Sequence, residues 1–91
     1  TAAGGLVGEV VQIWKPKQLN TFETEWGFSC MGYEISGALG IKMAKPDQDV
    51  VVFVGDGSYL LHNSDIYSSV LYDQKLIMYQ FFKFTYVHCY I

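Results

Sequence analysis

The spacing of apolar residues predicts that the chain begins with a short helix and a loop. Within residues 1–14, small residues give way to apolar positions at helical spacing, namely Leu6, Val10, Ile13 and Trp14. This pattern is typical of an amphipathic helix, and Pro16 would end it because proline disfavours helical backbone at the preceding residue. Residues 15–25 are mostly polar and follow no period, so we expect a loop there.

A second and stronger helical pattern begins near Gly32 and ends before Pro46. An apolar ridge recurs at four-residue steps, at Ile35, Leu39 and Met43. An adjacent stripe consists of small residues, at Gly37, Gly40 and Ala44. Because glycine costs a helix about 1 kcal/mol relative to alanine, two glycines on one face predict close packing against a sheet.

The most informative stretch is residues 50–58, where an uninterrupted apolar run meets two glycines. Residues 50–54 contain only Val and Phe, which is typical of a central parallel strand buried on both faces. Residues 55–58, Gly-Asp-Gly-Ser, follow directly and are called the GDGS motif below. Asp-Gly is also a strong hairpin signal, although residues 58–63 do not alternate as a returning strand should. A structural hairpin turn is therefore the alternative.

Helical periodicity returns after the motif, and a second strand follows it. Apolar positions between Leu60 and Leu71 follow a helical period, with Asn63 or Ser64 as a candidate internal cap. Residues 73–74 form a loop, and residues 76–82 have the composition of a strand. Strand, helix and strand together form a βαβ unit, whose crossover is right-handed almost without exception. We therefore predict an α/β fold with parallel strands.

The GDGS motif combines a carboxylate, Asp56, with a hydroxyl, Ser58, at the end of a predicted strand. Its glycines let the backbone bend sharply and come close to a ligand. Ligands of open α/β sheets bind beyond the carboxyl ends of the strands. A hard oxygen ligand beside backbone N–H groups can hold Mg²⁺ and a phosphate together. The motif therefore predicts a site for a metal ion and a phosphate.

Length and composition predict one small domain that is a piece of a larger protein. The chain has 91 residues, of which 51% are hydrophobic and 16% are aromatic. A domain of this size is marginally stable by itself, so the apolar excess indicates surfaces covered by other domains or subunits. The chain starts at Thr1 with no basic and apolar leader, so we expect no signal peptide.

Charge and cysteine usage exclude several classes of function. The net charge is −3 and the six basic residues are scattered, so we expect no nucleic-acid partner. The longest apolar run is far too short to span a bilayer, which predicts no membrane association. Cys30 and Cys89 fit neither a disulfide scaffold nor a metal motif, so a cytoplasmic location is expected.

Base rates predict that His62 and His88 are not catalytic and that Glu34 lies on a helix surface or an interface.

Two strings of residues resemble the diphosphate-binding domain of thiamine-diphosphate-dependent enzymes. One is the GDGS motif after a buried strand, and the other is Met31 and Gly32 at the start of a glycine-bearing helix. More narrowly, Ser-Cys-Met-Gly-Tyr-Glu at residues 29–34 looks like the trihydroxycyclohexanedione hydrolase subfamily of myo-inositol catabolism. The resemblance covers residues 1–78, and residues 79–91 form an aromatic-rich tail that departs from it. It implies a fragment of a three-layer α/β/α fold that binds thiamine diphosphate and Mg²⁺.

The resemblance also implies roles for individual residues. Asp56 would bind the Mg²⁺ ion that bridges the protein and the cofactor diphosphate. The rest of the GDGS motif would bring N–H groups and a hydroxyl to the diphosphate, through Gly55, Gly57 and Ser58. Met31 would hold the cofactor in its bent form, and the Ser29 carbonyl would accept from its aminopyrimidine, with Cys30 between them in the cofactor-binding set. The simpler alternative is that Met31 is a core residue and that Ser29 and Cys30 are small residues of a packed turn.

For the parent protein, the resemblance implies ring opening of 3D-(3,5/4)-trihydroxycyclohexane-1,2-dione to 5-deoxy-glucuronate. The glutamate that activates the cofactor would come from the pyrimidine-binding domain of a second subunit, so a homo-oligomer is expected. No catalytic residue is expected within these 91 residues, and the chain alone should be inactive. The alternatives are a carboligase similar to acetolactate synthase and a non-catalytic truncated remnant.

One departure from the family pattern concerns the metal. The family has an Asn near residues 81–83 that completes the Mg²⁺ site, whereas this sequence has no Asn after Asn63. We hypothesise that residues 79–91 result from a truncated or frame-shifted coding region. Translating the parent DNA in its other two frames tests this, because an Asn-containing continuation should then appear. Loss of a second side-chain ligand should weaken Mg²⁺ binding, since this ion demands near-ideal octahedral geometry.

Overall fold

Two neighbouring parallel strands form the centre of the fold. The computed structural model describes residues 1–82 and the backbone of one further strand, and residues 83, 84 and 91 lie outside the described part. The elements in chain order are α1 (Gly5–Ile13), α2 (Tyr33–Ala44), β1 (Val51–Gly55), α3 (Asp56–His62), α4 (Ser64–Leu71), β2 (Ile77–Phe82) and β3 (Thr85–Tyr90). None of the described helices is long and apolar enough to cross a membrane.

The sheet has the strand order β1-β2-β3. β1 and β2 are parallel, with a register that runs from Val51 opposite Ile77 to Gly55 opposite Phe81. This pairing confirms the predicted α/β fold with parallel strands. It also rules out a hairpin at the GDGS motif, because the chain leaves β1 through α3 and α4 and returns as β2.

The main core lies between α2 and one face of the two parallel strands. Val52 and Val54 of β1 and Met78 of β2 are almost fully buried against Ile35 of α2, which has 0% exposure. Burying one such aliphatic side chain contributes about 1.5–3 kcal/mol, so these contacts are the main attachment of α2 to the sheet. The prediction that an apolar ridge of α2 packs on the sheet is confirmed for Ile35 and Leu39, which both belong to this core.

Two details of the predicted α2 packing are wrong. Met43 is 54% exposed, because four-residue steps advance a helix by about 40° more than a full turn each, and the ridge therefore rotates away from the sheet. Ala38, three residues after Ile35, packs in the core instead. The small-residue stripe does not face the sheet, since a Cβ at Gly40 would meet nothing and one at Gly37 would meet the Tyr33 ring.

The opposite face of the sheet carries a row of aromatic rings. Phe53 of β1 stacks on Tyr79 of β2 with ring centroids 5.4 Å apart, and Phe81 lies 6.1 Å from Phe53. Trp14, which follows α1, meets Phe53 edge-on at 5.5 Å. Offset-stacked and edge-on pairs are the geometries that aromatic rings prefer. The start of the chain is therefore held against the second face of β1.

One local prediction differs from the observed backbone. The GDGS motif is not a separate turn, because α3 begins at Asp56 and α4 follows after a break at Asn63. The strand predicted at residues 76–82 is confirmed as β2, which pairs antiparallel with β3 in a register from Ile77 opposite Tyr90 to Phe82 opposite Thr85. The predicted tail at 79–91 thus begins inside β2, and its residues 83, 84 and 91 and the side chains of 85–90 lie outside the described part.

Truncating Ile35 should test the core assignment. Because this side chain is fully buried, Ile35→Ala should lower the free energy of unfolding by about 2–5 kcal/mol. Met43→Ala on the same helix is the matched control and should change it by less than about 0.5 kcal/mol. Urea unfolding followed by circular dichroism measures both, and equal losses for the two variants would contradict the described packing.

Candidate functional site

A cavity of about 500 Å³ lies at the carboxyl ends of β1 and β2. We call it the motif cavity, because all four residues of the GDGS motif line it. The remaining lining comes from the start of the chain through the first turns of α1, from Met31 two residues before α2, and from the end of β2. These residues are Ala3, Gly4, Gly5, Leu6, Glu9, Met31, Phe81 and Phe82. Parallel strands place such cavities where ligands of open α/β sheets bind.

The GDGS motif forms the junction between β1 and α3. Gly55 has extended backbone, and Asp56 is the first residue of the helix. The exposed Asp56 carboxylate accepts a hydrogen bond from the Gly57 N–H through Oδ1 at 2.8 Å. Ser58 is buried and also lines the cavity. The first N–H groups of a helix have no partners within it, so this junction presents backbone donors beside a carboxylate.

Met31 packs directly on the motif. A Cβ added at Gly57 would lie 2.6 Å from the Met31 Cε methyl, so only glycine leaves room for this methyl group at its observed position. Met31 is 48% exposed and lines the motif cavity, and it therefore does not behave as the core residue of the simpler alternative. Two regions singled out from the sequence, about 26 residues apart, thus meet in one place.

Gly32, the residue after Met31, requires a glycine for two separate reasons. Its φ of +95° lies in the left-handed region, which side-chain-bearing residues rarely adopt. A Cβ at this position would also lie 2.7 Å from the Cβ of His62, at the end of α3. The start of α2 is therefore in close contact with the end of α3. His62 in turn pairs with Asp65 through Nδ1 and Oδ2 at 3.1 Å.

Loop 25–30 is shaped by one carboxylate. Glu25 accepts hydrogen bonds from the N–H groups of Phe28, at 2.7 Å, and Cys30, at 2.8 Å. These two backbone hydrogen bonds lower the pKa of Glu25, and the bond from Phe28 has the larger effect. Ser29 has a φ of 51°, so the loop is tightly curved at this residue. Ser29 and Cys30 are exposed and do not line the motif cavity, although they lead directly into Met31.

Of the two predicted positions for Glu34, on a helix surface or at an interface, the structure shows that the helix surface is wrong. The side chain is 3% exposed, and its two oxygens accept hydrogen bonds from backbone N–H groups of two segments. Oε1 accepts from Ala3 at 3.2 Å, and Oε2 accepts from Gly32 at 2.9 Å. A carboxylate can remain buried when its oxygens are hydrogen-bonded in this way. Glu34 thus joins the start of the chain to the start of α2.

The cavity also contains residues that sequence reasoning did not assign to a site. Gly4 and Gly5 at the start of α1 and Glu9 one turn later line the same cavity as the motif. The run of small residues before α1 was a signal for close approach of a backbone, but nothing local indicates what it approaches. Phe81 and Phe82 close the cavity at the end of β2, where the resemblance predicts an Asn.

The donor set fits a diphosphate with a single metal ion better than it fits a metal ion alone. Asp56 supplies a hard oxygen ligand, and the first turn of α3 supplies backbone N–H groups besides that of Gly57, which donates to the Asp56 carboxylate. Within the described part of the chain, no group of three or more His, Cys, Asp or Glu side chains could hold a metal. Mg²⁺ commonly binds through one or two carboxylates together with phosphate oxygens and water, which is consistent with this site.

Comparison with known proteins decides the family. Residues 2–81 match the family described as thiamine pyrophosphate enzyme, C-terminal TPP binding domain. The chain belongs to this family. The predicted resemblance to thiamine-diphosphate-dependent enzymes is therefore confirmed, and the motif cavity is a cavity of a TPP-binding domain.

Within this family, the curated proteins described next are similar to the chain and share one name. The chain is 45% identical over 75 residues to the 3D-(3,5/4)-trihydroxycyclohexane-1,2-dione hydrolase of Shouchella clausii. Proteins of the same name from Geobacillus thermodenitrificans and Bacillus subtilis are 47% and 44% identical over 75 residues. Each alignment covers 82% of this chain but only 12% of the relative. No solved structure gives a significant match.

Substitution of Gly32 should be costly because of both its φ and its neighbour. We expect Gly32→Ala to lower the free energy of unfolding by about 1–3 kcal/mol. Gly40→Ala is the matched control, since its Cβ meets nothing within α2, and it should raise this free energy by up to about 1 kcal/mol. Thermal and urea unfolding distinguish the two. A stabilising Gly32→Ala would contradict the described backbone.

The loop formed around Glu25 should open in acid. Because hydrogen bonds lower the pKa of Glu25, their stabilising effect is complete above the ordinary glutamate pKa and is lost as pH falls through the lowered value. The amide proton shifts of Phe28 and Cys30 should therefore move together during a titration from neutral pH to about pH 2. Glu25→Gln removes this transition. Amide shifts in the loop that titrate at the ordinary glutamate pKa would contradict the assignment.

Proposed function

We propose that the motif cavity binds the diphosphate end of thiamine diphosphate together with Mg²⁺. The main support for this proposal is the position of the GDGS motif. The motif lines the cavity at the carboxyl end of β1, and Met31 packs against its Gly57. Membership of a TPP-binding family supports the same ligand. Asp56 is the metal ligand in this proposal, and Gly55, Gly57 and Ser58 contact the diphosphate.

The remaining assigned residues act beyond the diphosphate. Met31 lies at the cavity wall with its side chain half exposed, where an apolar group can support the middle of a bent cofactor. Ser29 and Cys30 lie just before it, outside the cavity lining, so they are proposed to contact the cofactor end that projects out of the cavity. The tight loop that Glu25 organises holds their backbone in place.

We assign to the whole protein the activity for which its relatives are named, hydrolysis of 3D-(3,5/4)-trihydroxycyclohexane-1,2-dione, with 5-deoxy-glucuronate as product. Thiamine diphosphate, when bound, supplies a carbon nucleophile and an electron sink for carbonyl chemistry. This chain's part is to bind and orient the cofactor. No residue of the chain is assigned a catalytic role, because the family glutamate that activates the cofactor belongs to another domain.

A homo-oligomeric partner follows from this assignment. The cofactor end that leaves the motif cavity needs a second surface, which we assign to the pyrimidine-binding domain of another subunit. Exposed apolar side chains in the two segments that adjoin Met31 and the GDGS motif support such a contact, among them Trp26 and Phe28 of loop 25–30 and Leu60 and Leu61 of α3. Apolar patches of this kind commonly mark protein interfaces.

A second candidate is a non-catalytic module that retains the fold. Phe81 and Phe82 favour it, because they offer no metal ligand at the end of β2 where the family pattern places an Asn. A carboligase similar to acetolactate synthase is a weaker alternative, since the relatives described above all carry the hydrolase name.

Replacing Asp56 tests the proposed metal site. In isothermal titration with thiamine diphosphate and Mg²⁺, Asp56→Asn should raise the Kd at least about tenfold, since an interaction with a charged group contributes about 1.5–3 kcal/mol. Asp47→Asn, in the exposed turn before the amino end of β1 and outside the motif cavity, is the control and should bind as the wild type does. Wild-type protein that fails to bind at millimolar cofactor would favour the non-catalytic module.

A further inference from the structure

Glu34 has a buried carboxylate that contacts two distant parts of the chain at once. One oxygen accepts from Gly32, two residues earlier, and the other accepts from Ala3, which is 31 residues away in sequence. Both hydrogen bonds are buried. A carboxylate is costly to bury, and this cost is offset only while both oxygens keep their donors.

The two segments that Glu34 joins are two walls of the motif cavity. Ala3 lines one wall and leads directly into Gly4 and Gly5, which line it too. Gly32 follows Met31, which lines the other wall and packs on Gly57. Glu34 therefore connects the two walls through its two hydrogen bonds, although it does not itself line the cavity.

Helix capping alone does not account for this arrangement. Glu34 lies in the first turn of α2, where a negative charge and one hydrogen bond to the Gly32 N–H already stabilise the helix start. The second oxygen would be left to water in that case. Instead, this oxygen accepts a hydrogen bond from Ala3, and the side chain is almost fully buried. Both observations indicate that Glu34 fixes the position of the wall that contains Ala3.

We propose that Glu34 is a positioning residue for diphosphate binding, acting by holding the Ala3 wall at a set distance from the Met31 wall. This inference rests on the proposed function of the motif cavity. It assigns to Glu34 no contact with the ligand.

The test is Glu34→Gln in the full-length natural protein, titrated with pyrophosphate and Mg²⁺. Glutamine keeps the size of the side chain, but its NH₂ group faces a backbone N–H, so one of the two bonds is lost. We expect the Kd to rise at least about tenfold. Removal of a negative charge close to an anion should by itself lower the Kd, so a rise cannot be attributed to charge. Glu23→Gln, at an exposed position, is the control and should leave the Kd unchanged.

A merely structural role predicts a different pattern. The melting temperature would then fall, while protein that is still folded at the titration temperature would bind pyrophosphate with the wild-type Kd, and this result would overturn the inference. If Glu34→Gln does not fold, Glu34→Asp keeps the charge but is too short to reach both donors.

The outcomes separate this inference from the proposed function. Wild-type protein that binds no pyrophosphate with Mg²⁺ overturns the proposed function and this inference with it. Wild-type binding together with an unchanged Kd in folded Glu34→Gln or Glu34→Asp overturns the inference alone. A raised Kd in either variant, with a normal Glu23→Gln, supports it.

Discussion

The parallel pairing of β1 with β2 determines where ligand chemistry can occur in this chain. Parallel strands cannot be joined by a tight turn, so the chain must cross over through α3 and α4 before it returns. Both strands therefore end at the same edge of the sheet, with Gly55 directly opposite Phe81. The GDGS motif, the start of α3 and the end of β2 meet there because of this constraint, whatever ligand they bind.

Two glycines convert this edge into a cavity with defined walls. Gly57 leaves room for the Met31 methyl, and Gly32 allows the chain to enter α2 with a left-handed backbone beside His62. Both positions concern contacts between segments that are distant in sequence. Gly40, by comparison, faces open space within α2, and nothing in the structure requires a glycine there. Glycine content alone therefore does not identify the positions at which an added side chain would meet a neighbouring segment.

The sequence pattern predicted the structure correctly at positions where local propensity and tertiary packing favour the same conformation. The valine-rich run of β1 correctly predicted a parallel strand, although only one face of it is fully buried, at Val52 and Val54. The motif after it lines a cavity with Met31. The pattern failed for Glu34, because its second partner is a backbone N–H 31 residues away and such a contact leaves no signature in the sequence. The start of α3 was missed for another reason. Glycine disfavours helix, but in a first turn it costs little because those N–H groups have no helical partner in any case.

The aromatic end of β2 has a consequence for how a metal ion and a diphosphate would share the motif cavity. The side chains of Phe81 and Phe82 supply no oxygen ligand, so Asp56 is the one residue to which we assign metal binding through a side chain. Mg²⁺ loses its water reluctantly and requires six well-placed oxygens, and one carboxylate binds it weakly unless phosphate oxygens complete the shell. In the proposed function, each of the two ligands therefore depends on the other. Linkage requires that the diphosphate raises the affinity for Mg²⁺ by the same factor as Mg²⁺ raises the affinity for the diphosphate. A site of this kind recognises the complex of metal and diphosphate as one ligand, and a cavity wall displaced by a small distance would weaken both together.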